Sequence, residues 1–139
     1  MGQIVVGYDG SACGDAALAE ALDLASKLGD QVTAVFGYAP PGLWGGEIAE
    51  HEEAIEEMGE RVMAKARAQA AEKGVEIDAQ LVPKRAAEAL IEVAEQRQAR
   101  MIVVGSFGDP PLKGIILGST PNKLLHMSEL PILVVPAKT

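Results

Sequence analysis

The run Met101-Ile102-Val103-Val104 is apolar at every position and stops at Gly105, the pattern of a strand buried on both faces. A strand of that kind needs helices on both sides of its sheet, and the rest of the chain supplies them. Ile4-Val5-Val6-Gly7-Tyr8 is also apolar and β-branched, and it runs straight into Asp9-Gly10-Ser11, a strand entering a turn. Ser11 is placed to cap a helix, Asp15 sits in its first turn, and Leu18, Ala21, Leu22, Ala25 and Leu28 recur at helical spacing until Gly29.

The alternation continues. Val32-Thr33-Ala34-Val35-Phe36 predicts a second strand, followed by a break in periodicity at Pro40-Pro41-Gly42-Leu43-Trp44-Gly45-Gly46. From Glu47 to Lys73, Ile55, Met58, Val62, Ala66 and Ala70 mark one long amphipathic helix with a charged outer face, ended by Gly74. Val75, Ile77, Ala79 and Leu81 alternate with Glu76, Asp78 and Gln80, a strand expected toward a sheet edge. Ala87, Leu90, Ile91 and Ala94 define a third helix, and Thr120-Pro121 predicts the cap and first position of a fourth, with Leu124 and Leu125 inward. Pro131 introduces a last apolar strand, Ile132-Leu133-Val134-Val135, closed by Pro136. The order βαβαβαβαβ implies an α/β fold with a mostly parallel, twisted sheet covered on both faces.

A length of 139 residues is ordinary for one domain, here residues 1–139. Twenty acidic residues against twelve basic ones give a formal charge of −8, which disfavours nucleic acid and anionic membranes as partners. The opening MGQIVVGYDG has no basic leader, and nowhere do about 18 apolar residues run together, so a cytoplasmic location is expected. Cys13 is the single cysteine, which excludes an internal disulfide.

Parallel sheets of this type bind ligands at the carboxyl ends of their strands, at the switch in winding direction. Two turns qualify: the one after the first strand, at Gly7-Tyr8-Asp9-Gly10-Ser11, and the long one after the fourth, from Gly105 to Ser119. In the second, glycines lie between a buried strand and a helix start. Glycines let backbone amides approach an anion, and a helix N-terminus adds unpaired N–H groups. The same glycines also suit tight turns alone. The turn is no Walker A loop, and the first turn lacks G-x-G-x-x-G.

At these residues the chain resembles the universal stress protein family, whose nucleotide-binding members carry glycine, two residues, glycine, nine residues, then glycine and serine or threonine. Gly105, Gly108 and Gly118-Ser119 have that spacing. The resemblance extends to Asp9-Gly10-Ser11, to the element order, to Ser119-Thr120-Pro121-Asn122-Lys123 and to Pro131-Ile132-Leu133-Val134-Val135. It implies a single Rossmann-like domain (adenine nucleotide alpha hydrolase-like) with a five-stranded sheet, frequent dimerisation, and ATP binding in members with the loop.

Carried over by position, the resemblance implies that Asp9 bonds the ribose, that the backbone at Gly37 meets the adenine edge, and that Val104 walls the pocket. Gly7 and Tyr8 belong to the same turn. Gly105, Ser106 and Gly108 would follow the ribose and phosphates, with Gly118, Ser119 and Thr120 at the outer phosphates. Phe107, Asp109, Pro110 and Pro111 depart from the family's usual basic or small residues. A carboxylate about 5 Å from a triphosphate repels it by about 3 kcal/mol per unit charge pair at an effective dielectric near 20. Asp109 therefore weakens binding unless it faces solvent or helps hold magnesium, while Lys113 offsets part of its charge.

No catalytic constellation stands out. His51 and His126 have no metal-ligand spacing around them, and Met58, Met63, Met101 and Met127 read as core filler. Trp44 is a candidate lid or partner contact. Protein-bound metal is not expected, although magnesium can arrive on phosphates. The expectation is an ATP-binding stress-response regulator with a regulatory protein partner whose identity the residues do not give. The alternatives are a dimeric interaction module with an empty loop, a cyclic AMP-binding member and a slow ATPase. The homodimer is expected to pair through Ile132, Leu133, Val134 and Val135, an apolar run at a sheet edge.

Overall fold

The computed structural model describes residues 2–38, 48–106 and 118–137, with side chains from residue 53 onward in the second helix. Gly108, Phe107, Asp109, Pro110, Pro111, Lys113, Trp44 and the His51 side chain lie outside the described residues. The elements are β1 (Gln3–Gly7), α1 (Ala12–Leu28), β2 (Gln31–Gly37), α2 (Ile48–Glu72), β3 (Ile77–Val82), α3 (Ala86–Arg97), β4 (Met101–Gly105), α4 (Ser119–Met127) and β5 (Ile132–Val135).

Five strands form one parallel sheet in the order β3-β2-β1-β4-β5. From β1 the chain winds outward through β2 to β3, then crosses back to place β4 on the other side of β1. The switch in winding direction therefore lies between β1 and β4. Side chains of β1 alternate: Ile4 and Val6 pack with Leu18, Leu22 and Met63 beneath α1 and α2. Val5 packs with Leu90, Val93, Ile102 and Leu124 beneath α3 and α4. Both faces being covered explains why the central strands are apolar throughout.

Local signals account for several element ends. Ser11 caps α1, its hydroxyl accepting the Gly14 N–H at 3.1 Å, and Gly29 ends the helix in the left-handed region at φ 72°. β3 and β5 occupy the two sheet edges, as their sequences lead one to expect. Val75 precedes β3 and instead closes α2, its N–H bonding the Ala70 carbonyl.

Four expectations are corrected. The cap of α4 is Gly118, not Thr120, because the Asn122 N–H reaches the Gly118 carbonyl and starts the helix two residues earlier. Pro121 is thus the third helical residue. Leu124 is fully buried but Leu125 is 53% exposed, since neighbours on a helix are about 100° apart and α4 buries a narrow stripe. Of the methionines, Met63 is core, Met101 is half-buried, and Met58 and Met127 are exposed. Leu28 is exposed in the last turn of α1.

Candidate functional site at the carboxyl edge of the sheet

β1, β2 and β4 each end in glycine: Gly7, Gly37 and Gly105. These three, with Val35, Val104 and Leu90, line one cleft at the switch point. Each glycine has its own reason. A Cβ on Gly105 would lie 2.6 Å from Cys13 Cβ and 2.8 Å from the Cys13 carbonyl carbon, so only glycine lets the first turn of α1 sit there. A Cβ on Gly37 would lie 2.8 Å from Ala86 Cα and 2.9 Å from the Lys84 carbonyl, at the start of α3. At Gly7 the added atom would meet Leu90 and Val104 at 3.1 and 3.3 Å, narrowing the cleft.

The strand-end glycines thus draw helix N-termini toward the sheet. Ser11 and Gly14 of α1, Ala86 of α3, and Gly118, Ser119, Thr120 and Pro121 at the start of α4 all line the cleft. First-turn N–H groups have no partner within their own helix, and the aligned peptide dipoles place partial positive charge there. No side chain caps α4 or α3. The Gly118 N–H is engaged by the Ser106 carbonyl at 2.7 Å, and Pro121 has no N–H. Ser119 and Thr120 are therefore the residues of that first turn with amides and hydroxyls to offer a ligand.

Among the described lining residues, Asp9 is the one with a charged side chain. Its Oδ1 accepts the Ser11 N–H at 2.9 Å and the Ser11 hydroxyl, which holds the carboxylate at the cleft. Gly14 makes room for it, since a Cβ there would stand 2.7 Å from Asp9 Oδ1. Tyr8 is buried, and its hydroxyl donates to Asp15 Oδ1 at 2.6 Å. Burial first, then that bond and the charges of Asp15 and Asp9, hold the phenol well above its ordinary range.

Of the positions expected at the site, Gly7, Tyr8, Asp9, Gly37, Val104, Gly105, Gly118, Ser119 and Thr120 meet at this cleft. Ser106 does not line the cleft itself; its N–H donates to the Val135 carbonyl and its carbonyl accepts the N–H of the lining residue Gly118. Gly108 is outside the described residues. Sequence reasoning did not single out Gly14, Val35, Phe36, Ala86, Leu90 or Pro121 as lining residues. Leu90 read as a core residue of the third helix and Ala86 carried no signal, and the packing of α3 against Gly37 brings both here. Among the described residues, no group of three or more His, Cys, Asp or Glu side chains is placed to hold a metal ion. No described helix is long and apolar enough to cross a membrane.

The model of the universal stress protein family matches residues 1–136, which includes every residue of the cleft. The chain belongs to that family. The universal stress protein family includes a relative in Methanocaldococcus jannaschii that is 29% identical over 96% of this chain and 81% of its own length. The stress response protein NhaX of Bacillus subtilis is 30% identical, with 96% of each chain covered. Among solved structures, a member from Burkholderia pseudomallei superposes with a TM-score of 0.78 at 28% identity, covering 97% of this chain and 96% of that one. A universal stress protein in complex with cAMP superposes at 0.70 with 25% identity, covering 99% and 98%. The Archaeoglobus fulgidus protein in complex with dAMP shares the fold, at 0.73 with 22% identity, covering 97% and 98%.

Proposed function

We propose that this universal stress protein binds an adenine nucleotide, ATP by expectation, in the cleft at the carboxyl edge, and that occupancy regulates its contacts in a stress response. The observation that carries this reading is the convergence of an uncapped helix N-terminus, α4, with three strand-end glycines on one cleft that faces a fixed carboxylate. The carboxylate of Asp9 suits ribose hydroxyl donors, and the amides at Ser119 and Thr120 suit phosphate oxygens. Gly37 and Phe36 with Val35 and Leu90 form the apolar end for the base, and Val104 walls the middle. Gly105 and Ser106 would carry the backbone past the phosphates, and the family spacing assigns Gly108 to the same role. Magnesium would enter with the phosphates.

A second reading, an adenine monophosphate such as cyclic AMP, is favoured by one feature. The first turn of α4 offers the amides of two residues only, because the Gly118 N–H is engaged and Pro121 has none. Relatives with cAMP and with dAMP support the same class. The homodimer is part of the proposal too: β5 is a half-exposed apolar edge strand, and a two-fold axis would pair it with its copy.

The test is extraction of nucleotide from protein purified without added ligand, followed by thermal unfolding with magnesium ATP and, separately, cyclic AMP. A ligand at 100 times its Kd stabilises the folded state by about 2.7 kcal/mol, a rise of several degrees in Tm. An unchanged Tm at millimolar concentrations of both nucleotides ends the proposal.

A further inference from the structure

The side of the β1–α1 turn away from the cleft is packed against α2, a helix that contributes none of the described lining residues. Lys65 Nζ donates to the Gly10 carbonyl at 3.0 Å and lies 3.3 Å from Asp15 Oδ2. One helical turn on, Gln69 Nε2 donates to the Asp15 main-chain carbonyl at 3.0 Å. Tyr8 holds the other oxygen of Asp15 from the core side. Lys65 therefore ties the centre of the turn to an anchored carboxylate.

The Gly10 carbonyl and the Ser11 N–H belong to one peptide group. Its carbonyl end is held by Lys65, and its N–H end is held by Asp9 Oδ1 at 2.9 Å. In a trans peptide the two dipoles point in opposite directions, so fixing one end fixes the other. Turning this peptide changes ψ of Gly10 and φ of Ser11; Gly10, at φ 81°, has no Cβ to resist the turn on its side, and the Ser11 φ of −74° limits the swing on the other. Rotation would turn the Ser11 N–H away from Asp9 and leave its carboxylate held by the Ser11 hydroxyl alone.

We propose that Lys65 is a positioning residue for the nucleotide site: its hold on the Gly10–Ser11 peptide keeps Asp9 aimed at the ribose hydroxyls without touching the ligand. This rests on the nucleotide reading above. The Lys65–Asp15 pair is half-exposed on both sides, so its direct worth to stability is small. Its effect falls on geometry at Asp9.

The experiment compares wild type with Lys65→Met, Lys65→Arg and Asp9→Asn by calorimetric titration with magnesium ATP and with 2′,3′-dideoxy-ATP. Wild type is expected to prefer ATP. Lys65→Met should weaken ATP by about fivefold to tenfold, leave the dideoxy nucleotide unchanged, and add nothing in the Asp9→Asn background. Lys65→Arg should recover most of the preference. Amide hydrogen exchange at Ser11, measured without nucleotide, should quicken in Lys65→Met alone. Equal weakening of both nucleotides, no weakening, or unchanged Ser11 exchange overturns the role of Lys65 while leaving the nucleotide reading in place. A wild type that binds neither nucleotide overturns the reading itself.

Discussion

At the amino ends of the strands, side chains close the sheet; at the carboxyl ends, glycines leave it open. Asp30, whose side chain is 1% exposed, accepts the Gly2 N–H and Arg100 Nη2, both at 3.0 Å, through Oδ1. Its Oδ2 lies 2.6 Å from Arg100 Nε, an ion contact without the alignment of a directed hydrogen bond. Gln3 donates to Gln31 across the β1–β2 pair, the buried Thr33 hydroxyl reaches Gln3, and Arg97 pairs with Asp78 on β3. Polar groups there are spent on one another. At the carboxyl edge, the helix-start amides and one oxygen of Asp9 are left for something else. Within one sheet, the closed edge is tied by its own side chains and the open edge is the one proposed for nucleotide recognition.

The sharpest way to break this contrast is Asp30→Ala. Removing the buried carboxylate leaves the part-buried Gly2 N–H unpaired, opens a gap beneath the half-exposed Arg100, and should lower stability by about 1–3 kcal/mol in urea unfolding. Nucleotide affinity of the remaining folded protein should stay within twofold of wild type. A variant that keeps its stability, or that loses binding in step with it, would show that the two edges are not separate in role.

Two glycines at the open edge divide it further. Gly105→Ala places a Cβ against the Cys13 backbone and should cost about 1–3 kcal/mol in stability. Gly118 has φ −61° and ψ 168°, open to any residue, so Gly118→Val should cost at most about 1 kcal/mol, mostly through a poorer cap. Its expected effect is on binding, a loss of tenfold or more from blocking phosphate approach. Equal affinity for wild type and Gly118→Val would remove this residue from the site.

The smallest effect concerns pH. Tyr8 keeps its proton in the folded state above the ordinary value near 10, because of burial first and then Asp15. Unfolded chains release it near 10. The stability from that mismatch is therefore whole below pH 10 and is lost as pH rises from there toward the folded value. The chain has two tyrosines, so in Tyr38→Phe the phenolate absorbance reports Tyr8 alone. It should appear with alkaline unfolding, not before it. A phenolate titrating near pH 10 in protein that is still folded would place Tyr8 in a wetter, unpaired setting.

The sequence by itself determined the features whose causes lie within a few residues. Ser11 caps the helix it precedes, and Gly29 ends it. The unbroken apolar run Met101-Ile102-Val103-Val104 demanded cover on both faces, and the alternation at Ile77, Ala79 and Leu81 marked an edge. The glycine spacing at Gly105 and Gly118 with Asp9 in the first turn was enough to single out residues that line one cleft.

Tertiary structure alone decided what each of those glycines is for. Gly105 is glycine because Cys13, distant in the chain, brings backbone within 3 Å of where a Cβ would stand, and Gly37 is glycine because α3 docks there. Likewise, α4 is capped at Gly118 rather than Thr120 because that cap is anchored to Ser106, and Leu125 is left outside by the direction of that docking. The Asp30–Arg100 closure and the hold of Lys65 on Gly10 join residues 70 and 55 positions apart. Periodicity and capping depend on neighbours in sequence, whereas close approach depends on which strand lies beside which, and that order is fixed only when both faces of the sheet are packed.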